Sequence, residues 1–244
     1  MKTLIGINTL TDVSRPAYSN HCQVWYRLGR NTKDEFMMFH PHRMSIDGMR
    51  NSAAKYAMQQ ECDYLLFIDD DVLLPVMDHP DWYDTLKAAD KDVVAGVTLI
   101  RSYPYHPMIF DWNNKDTAFH IIDYKDRAGD DGLLQCDAVG FSLCLIKVDL
   151  LRKMEPPFFV TGVNHTEDVY FCQRAKIYVP EVSIFVDTRI ETAHMLDPEP
   201  IMPTTLEARK RYDEELDPSI TEKETGDHDS TYVQEVRDSL NANN

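Results

Sequence analysis

Cys62-Asp63-Tyr64-Leu65-Leu66-Phe67-Ile68-Asp69-Asp70-Asp71 is the stretch that decides the fold. Its apolar middle, bounded by polar residues, predicts a buried parallel strand. Three consecutive carboxylates then stand where that strand leaves its sheet. Carboxylates about 4 Å apart repel by roughly 1–4 kcal/mol per pair, depending on the local dielectric. A hard divalent cation with oxygen ligands is the usual partner for such a set. Open α/β sheets also bind their ligands at the carboxyl ends of strands. The segment therefore predicts a metal–phosphate site. In extended chain alternate side chains share a face, so Asp69 and Asp71 can address one ion while Asp70 points elsewhere. The plainer alternative is a solvated acidic turn, and a buried strand delivering three acids weighs against it. The triplet alone equally fits a phosphatase, a nuclease or a nucleotidyltransferase.

Further strand-like runs flank it at Thr3–Asn8 and Val93–Leu99. Between the first run and the acidic strand, Ile46, Met49, Ala53, Tyr56 and Ala57 fall on one helical face, with Ser45 suited to the cap. Asp81–Ala89 reads as another helix. This alternation implies a parallel α/β sheet in the first half. After about Ile100 the texture changes, beginning with the proline- and aromatic-rich loop Arg101-Ser102-Tyr103-Pro104-Tyr105-His106-Pro107. Short strands are predicted at Phe119–Tyr124, Leu133–Val139 and Ser142–Ile146, with Gly129-Asp130-Asp131-Gly132 as a turn. Val148–Met154 and Glu167–Lys176 read as helices and Val182–Val186 as a last strand. From Asp197 the chain is polar, with a helix predicted over Thr205–Leu216 and weak order after Asp217.

A chain of 244 residues can bury one good core and carry an appendage. Its net charge of −16 leaves no electrostatic footprint for nucleic acid, though a local basic groove is compatible with it. Much of that charge lies from Asp197 onward, where 13 acidic side chains face 5 basic ones. The cysteines are odd in number and lack paired metal spacing; Cys62, Cys144 and Cys172 lie in apolar segments and read as free, buried thiols. No stretch approaches the roughly 18 apolar residues of a membrane span. The N-terminal run is too short for a signal peptide. The expectation is a soluble, reduced, cytoplasmic protein.

Two other constellations carry chemistry. His165-Thr166-Glu167-Asp168-Val169-Tyr170-Phe171-Cys172 opens a helix with acids in its first turn. Those acids could simply complement the helix dipole, which favours their ionised form. His194 follows the last strand, a position where a histidine is more often structural than ligating.

In chain order, Arg50-Asn51, Phe67-Ile68-Asp69-Asp70-Asp71, Asp137-Ala138-Val139-Gly140-Phe141-Ser142-Leu143-Cys144-Leu145-Ile146, Glu167-Asp168-Val169-Tyr170-Phe171-Cys172 and His194 resemble GT-A type glycosyltransferases of the inverting, family-2-like branch. The likeness spans residues 1 to about 196. It implies an α/β GT-A fold, a Rossmann-like nucleotide-binding sheet joined to a smaller acceptor-side mixed sheet. The catalytic domain would cover 1–196, with a nucleotide-sugar half (1–100) and an acceptor half (101–196), followed by an acidic tail at 197–244. It further implies that Asp71 and His194 bind Mn²⁺ or Mg²⁺ and that Asp168, with Glu167 beside it, is the general base. Asp69 would face the ribose or sugar, Arg50 would help hold the nucleotide, and Asp70, Asn51, Arg101 and Gly140 would complete the substrate site. The Val139-Gly140-Phe141-Ser142 turn departs from the commoner small-residue version because Phe141 is bulky.

The partner implied is a nucleotide-diphosphate sugar. Compact domains of this pattern are similar to glycosyltransferases carried by bacteriophages, some of which modify hydroxymethylated bases of DNA; the −16 charge weighs against a duplex-DNA substrate, and a cytosolic saccharide, lipid-linked or protein acceptor is open. Two other readings compete. A nucleotidyltransferase shares a similar fold, but no glycine-rich, lysine-containing loop follows the first strand. A non-catalytic nucleotide-sugar binding module would have no need of Asp168 as a base.

Overall fold

The computed structural model describes residues 1–213 apart from 10–12, 32, 42–43, 114–117, 126, 164, 197–200, 204–205, 208–209 and 212. In chain order the elements are β1 (Lys2–Asn8), α1 (Arg15–Asn31), β2 (Glu35–Phe39), α2 (Ile46–Gln59), β3 (Tyr64–Asp69) and β4 (Val72–Leu73). Then come α3 (Trp82–Ala88), β5 (Val93–Val97), β6 (Ile109–Asn113), β7 (Ala118–Ile121), β8 (Leu133–Gln135) and β9 (Ala138–Val139). The chain continues through β10 (Leu143–Lys147), α4 (Val148–Arg152), α5 (Glu167–Tyr178), β11 (Ile184–Glu191) and β12 (Ala193–His194).

Strand periodicity builds two cores from one sheet. Leu65 and Phe67 of β3 pack with Leu4, Val93, Ala95 and Cys144 on one face, beneath Ala53, Ala54 and Ala57 of α2 and Phe171, Cys172 and Ala175 of α5. The alternate residues Leu66 and Ile68 pack with Ile5, Ile7, Val94 and Leu145 on the other, beneath Val24 and Leu28 of α1 and Trp82, Tyr83 and Leu86 of α3. Each Val, Leu, Ile or Phe among them, fully buried, contributes roughly 1.5–3 kcal/mol. The period of two then carries Asp69 onto the face of Leu65 and Phe67, toward α2. That placement seeds the site.

The main sheet has seven strands in the order β2-β1-β3-β10-β5-β11-β8. β2, β1 and β3 are parallel, as expected for the first half. β10 intrudes between β3 and β5 and runs antiparallel to both, so the sheet is mixed. The single strand predicted over Leu133–Val139 is broken: β8 joins the main sheet beside β11, while β9 pairs with β6 in a separate three-stranded sheet. α1 and β2 were not anticipated, and β11 runs on to Glu191 past a register shift against β5. The predicted turn ends on Gly132, whose φ of 78° suits glycine and whose N–H donates to Gly129 O at 2.8 Å.

All five cysteines are free, with Cys22 exposed and the other four buried. No helix among the described residues is long and apolar enough to cross a membrane. Of the helix predicted over Thr205–Leu216, residues 206–207, 210–211 and 213 are helical, and the remainder, with the tail after Asp217, lies outside the described residues.

Candidate active site

Arg50 projects from α2 into the interior, with 2% of its surface exposed. Its Nε donates to Glu167 Oε1 at 2.8 Å, its Nη2 to Asp69 Oδ1 at 3.1 Å and its Nη1 to Phe141 O at 3.3 Å. The guanidinium lies over the Phe67 and Phe141 rings, 4.9 and 5.6 Å from their centroids. A buried cation enclosed in this way organises protein carboxylates. The nucleotide-holding role implied by resemblance is therefore not what the geometry gives Arg50: its charge is committed to Asp69 and Glu167. Burial pushes the Asp69 carboxyl above its ordinary value, with the charges of Arg50 and Asp71 pulling in opposite directions. Glu167 is likewise engaged, 7% exposed and bonded to Arg50.

Asp71 and His194 come together through two strands of two residues each. β12 pairs antiparallel with β4, setting His194 opposite Val72, and Met195 N donates to Asp71 O at 2.8 Å. His194 Nε2 then stands 3.4 Å from Asp71 Oδ2, and Arg101 Nη1 is 2.9 Å from the same oxygen. His194 Nδ1 is 2.7 Å from Leu99 O. A carbonyl only accepts, so Nδ1 carries a hydrogen and Nε2 is the ring nitrogen turned to Asp71, where it can donate to the carboxylate or, with its proton displaced, share a cation with it. Burial opposes the charge of Asp71, but the hydrogen bond and charge of His194 and the Arg101 guanidinium outweigh it and hold the carboxyl below its ordinary value. An ionised carboxylate oxygen and an imidazole nitrogen facing each other form a donor set that fits a divalent cation. Among the described residues no cluster of three or more His, Cys, Asp or Glu side chains is arranged for a metal, and the donor set here consists of these two side chains.

Asp168 is the second residue of α5, after the Thr166 cap. Its Oδ1 accepts from Thr166 Oγ1 and, at 2.7 Å, from Val169 N. Burial and the neighbouring Glu167 charge push its carboxyl above the ordinary value. That reverses the expectation drawn from the helix dipole alone, because desolvation at this helix end exceeds the dipole's contribution.

Other expected site residues serve the scaffold. Asn51 Nδ2 donates to Asp47 O and Phe159 O, at 2.9 and 2.6 Å, while its Oδ1 accepts from Phe158 N and Phe159 N, at 2.8 and 3.2 Å. All four hydrogen-bonding positions of the amide are filled, so Asn51 has none left for a substrate. Gly140 lies where a Cβ would fall 2.8 Å from Met108 Cβ, so its smallness serves packing. Phe141 turns its bulk inward, 1% exposed, against Phe67, Phe159 and Phe171. Asp70 sits half-buried in the turn between β3 and β4.

Two features escaped the sequence reading. Ser142 O accepts from Asp69 N at 3.0 Å, tying the β9–β10 turn to the acidic strand end. Asn8, opposite Asp69 in the β1–β3 register, is 2% exposed with neither amide atom partnered. A polar residue closing the apolar run of β1 was its only signal. Ile201, fully buried, pairs with His194 in both directions, at 2.9 and 2.7 Å.

The chain is similar in structure to A197 from STIV, with a TM-score of 0.56 over 84% of this chain and 91% of that one, at 20% identity. It has a GT-A-like fold. A slighter likeness, which carries no argument, is to GalNAc-T7 crystallised with UDP, GalNAc and Mn²⁺: TM-score 0.48, 11% identity, 80% of this chain and 44% of that one. No family model and no curated protein matches the sequence. Within the GT-A-like fold, Asp69, Asp71, Asp168 and His194 gather about the carboxyl end of β3 through Arg50, Arg101 and the β4–β12 ribbon.

Proposed function

We propose that the chain is a metal-dependent, inverting glycosyltransferase that moves a sugar from a nucleotide-diphosphate sugar to an acceptor hydroxyl. The observation that carries this reading is the Asp71–His194 pair, 3.4 Å apart at the carboxyl end of the sheet. Asp71 and His194 would hold Mn²⁺ or Mg²⁺, which when bound supplies charge neutralisation for the departing diphosphate. Arg101, 55% exposed beside Asp71, adds a solvent-accessible positive charge for the same phosphates. The unpartnered amide of Asn8 lies buried at the strand end where such sheets bind ligands.

Arg50 holds Asp69 and Glu167 in place, so that these acids do not drift. Asp168 then takes the proton of the acceptor hydroxyl as it attacks, a contribution of typically 10²–10⁴-fold. Its raised pKa brings it nearer the operating pH and makes it a stronger base once ionised. A single displacement with one base and one clamp inverts the anomeric carbon, a family-2-like mechanism.

The acceptor we favour is a saccharide, lipid-linked or protein hydroxyl, because the −16 charge weighs against the duplex DNA that a phage enzyme modifying hydroxymethylated bases would need. Five free thiols support a reducing, cytoplasmic setting. Proton NMR of the first product formed from a donor of known anomeric configuration tests the mechanism: inversion is expected, and retention rules out the single displacement.

A further inference from the structure

The ribbon that joins the metal pair is too short to hold itself. β4 and β12 contribute two residues each, Ala193 opposite Leu73 and His194 opposite Val72. Even a full two-stranded hairpin is marginal in water. Three additional hydrogen bonds reach this ribbon from consecutive residues of α1, on the far face of the sheet from Arg50. Asn20 Nδ2 donates to Leu74 O at 2.9 Å, and Leu74 N donates back to Asn20 Oδ1 at 2.9 Å, so one amide grips both backbone groups of one residue. His21 Nε2 lies 2.9 Å from Val72 O and, facing a carbonyl, must be the donor.

These bonds are sheltered. Val72 is fully buried, Leu74 is 3% exposed and His21 4%. Water has little access to replace them, so the loss of one leaves a buried carbonyl or N–H without a partner. Val72 follows Asp71 directly and faces His194 across the ribbon. A shift of segment 72–74 therefore changes the separation of the two metal-ligating groups. The helix does not need either polar residue to pack, since Val24 and Leu28 anchor it in the core from its next turns.

We propose that Asn20 and His21 are positioning residues for the metal pair: by gripping Val72 and Leu74 they hold Asp71 at the distance from His194 that one cation requires. This rests on the reading of Asp71 and His194 as the metal ligands. Residues that orient metal ligands typically change affinity by 10–100-fold when removed.

The test is a Mn²⁺ titration of the full chain, without nucleotide, followed by water-proton relaxation, alongside thermal unfolding. Asn20→Ala and His21→Phe, the latter keeping the ring that packs against Trp25, should each weaken Mn²⁺ binding about tenfold or more. His21→Gln, whose amide can still donate to Val72 O, should restore most of the affinity. Val24→Ala on the same helix should lower the unfolding temperature and leave Mn²⁺ affinity unchanged, which separates positioning from general destabilisation. Asp71→Ala should abolish the Mn²⁺ signal; if it does not, the metal reading itself fails. If Asp71→Ala abolishes binding while His21→Phe binds Mn²⁺ as the wild type does, the positioning role is overturned and the metal reading stands. If Asn20→Ala does not fold, the His21→Phe and His21→Gln comparison decides alone.

Discussion

Arg50 Nε donates to Glu167 Oε1 at 2.8 Å, joining α2 to the first turn of α5 across 117 residues of sequence. The same guanidinium holds Asp69 at 3.1 Å, so one buried cation fixes two acids delivered by different elements. The arrangement has a stability consequence. Arg50→Met leaves two carboxylates buried without a counter-charge, and breaking a buried pair in this way costs about 3–5 kcal/mol. Arg50→Lys should recover little, because a single ammonium cannot reproduce the fork that reaches Glu167, Asp69 and Phe141 O together. Urea unfolding measures both; a loss under about 1 kcal/mol for Arg50→Met contradicts the assignment.

Asp168 joins activity to stability with opposite signs. Its carboxyl is held above the ordinary value of 3.8 by burial and by Glu167. The folded chain therefore binds that proton more tightly than the unfolded chain does. The stability this contributes is complete at low pH and is lost as pH rises through the folded value. Asp168→Asn removes the ionisation, so the variant should melt higher than the wild type at neutral pH. Its turnover should fall a hundredfold or more. The acid limb of kcat/KM in the wild type should lie above pH 3.8 and vanish with the residue. A variant with near-normal turnover excludes Asp168 as the base.

How the sequence concealed some of this is itself physical. β3 and its acids were legible because three carboxylates at the end of a buried strand repel one another and call for a counter-charge. α1 was not, since its inward stripe Ala17, His21, Val24 and Leu28 contains a histidine while Tyr18 and Tyr26, apolar in pattern, are exposed. β10 looked like any apolar strand, and its antiparallel direction depends on where the chain re-enters the sheet, which no local periodicity encodes. Strands of two residues such as β4 and β12 fall below any pattern. The roles proposed for Asp71, His194 and Asp168 rest on the order of motifs, whereas the enclosure of Arg50 depends on Phe67, Phe141 and Glu167 converging from three parts of the chain.

Asn51 separates scaffold from site. It bridges α2 to the backbone of Phe158 and Phe159, and Asn51→Leu would leave two N–H groups and two carbonyls short of a partner. A loss of at least about 1–3 kcal/mol in unfolding free energy is expected. Affinity for the nucleotide sugar, measured by calorimetry at a temperature where the variant is folded, should stay within about threefold of wild type. A donor affinity that collapses while the unfolding free energy holds would return Asn51 to the substrate site.

Glycosyl transfer and nucleotidyl transfer differ in what leaves, and that difference gives the most direct measurement. The chain should be incubated with a panel of nucleotide-diphosphate sugars and Mn²⁺, and nucleoside diphosphate release followed with and without saccharide, protein and hydroxymethylated-DNA acceptors. One donor should yield nucleoside diphosphate, slowly by hydrolysis alone and faster with the correct acceptor, and release should cease with chelator or in Asp71→Ala. Pyrophosphate released from a nucleoside triphosphate and a sugar phosphate, or donor turnover indifferent to both chelator and Asp71→Ala, would contradict the account.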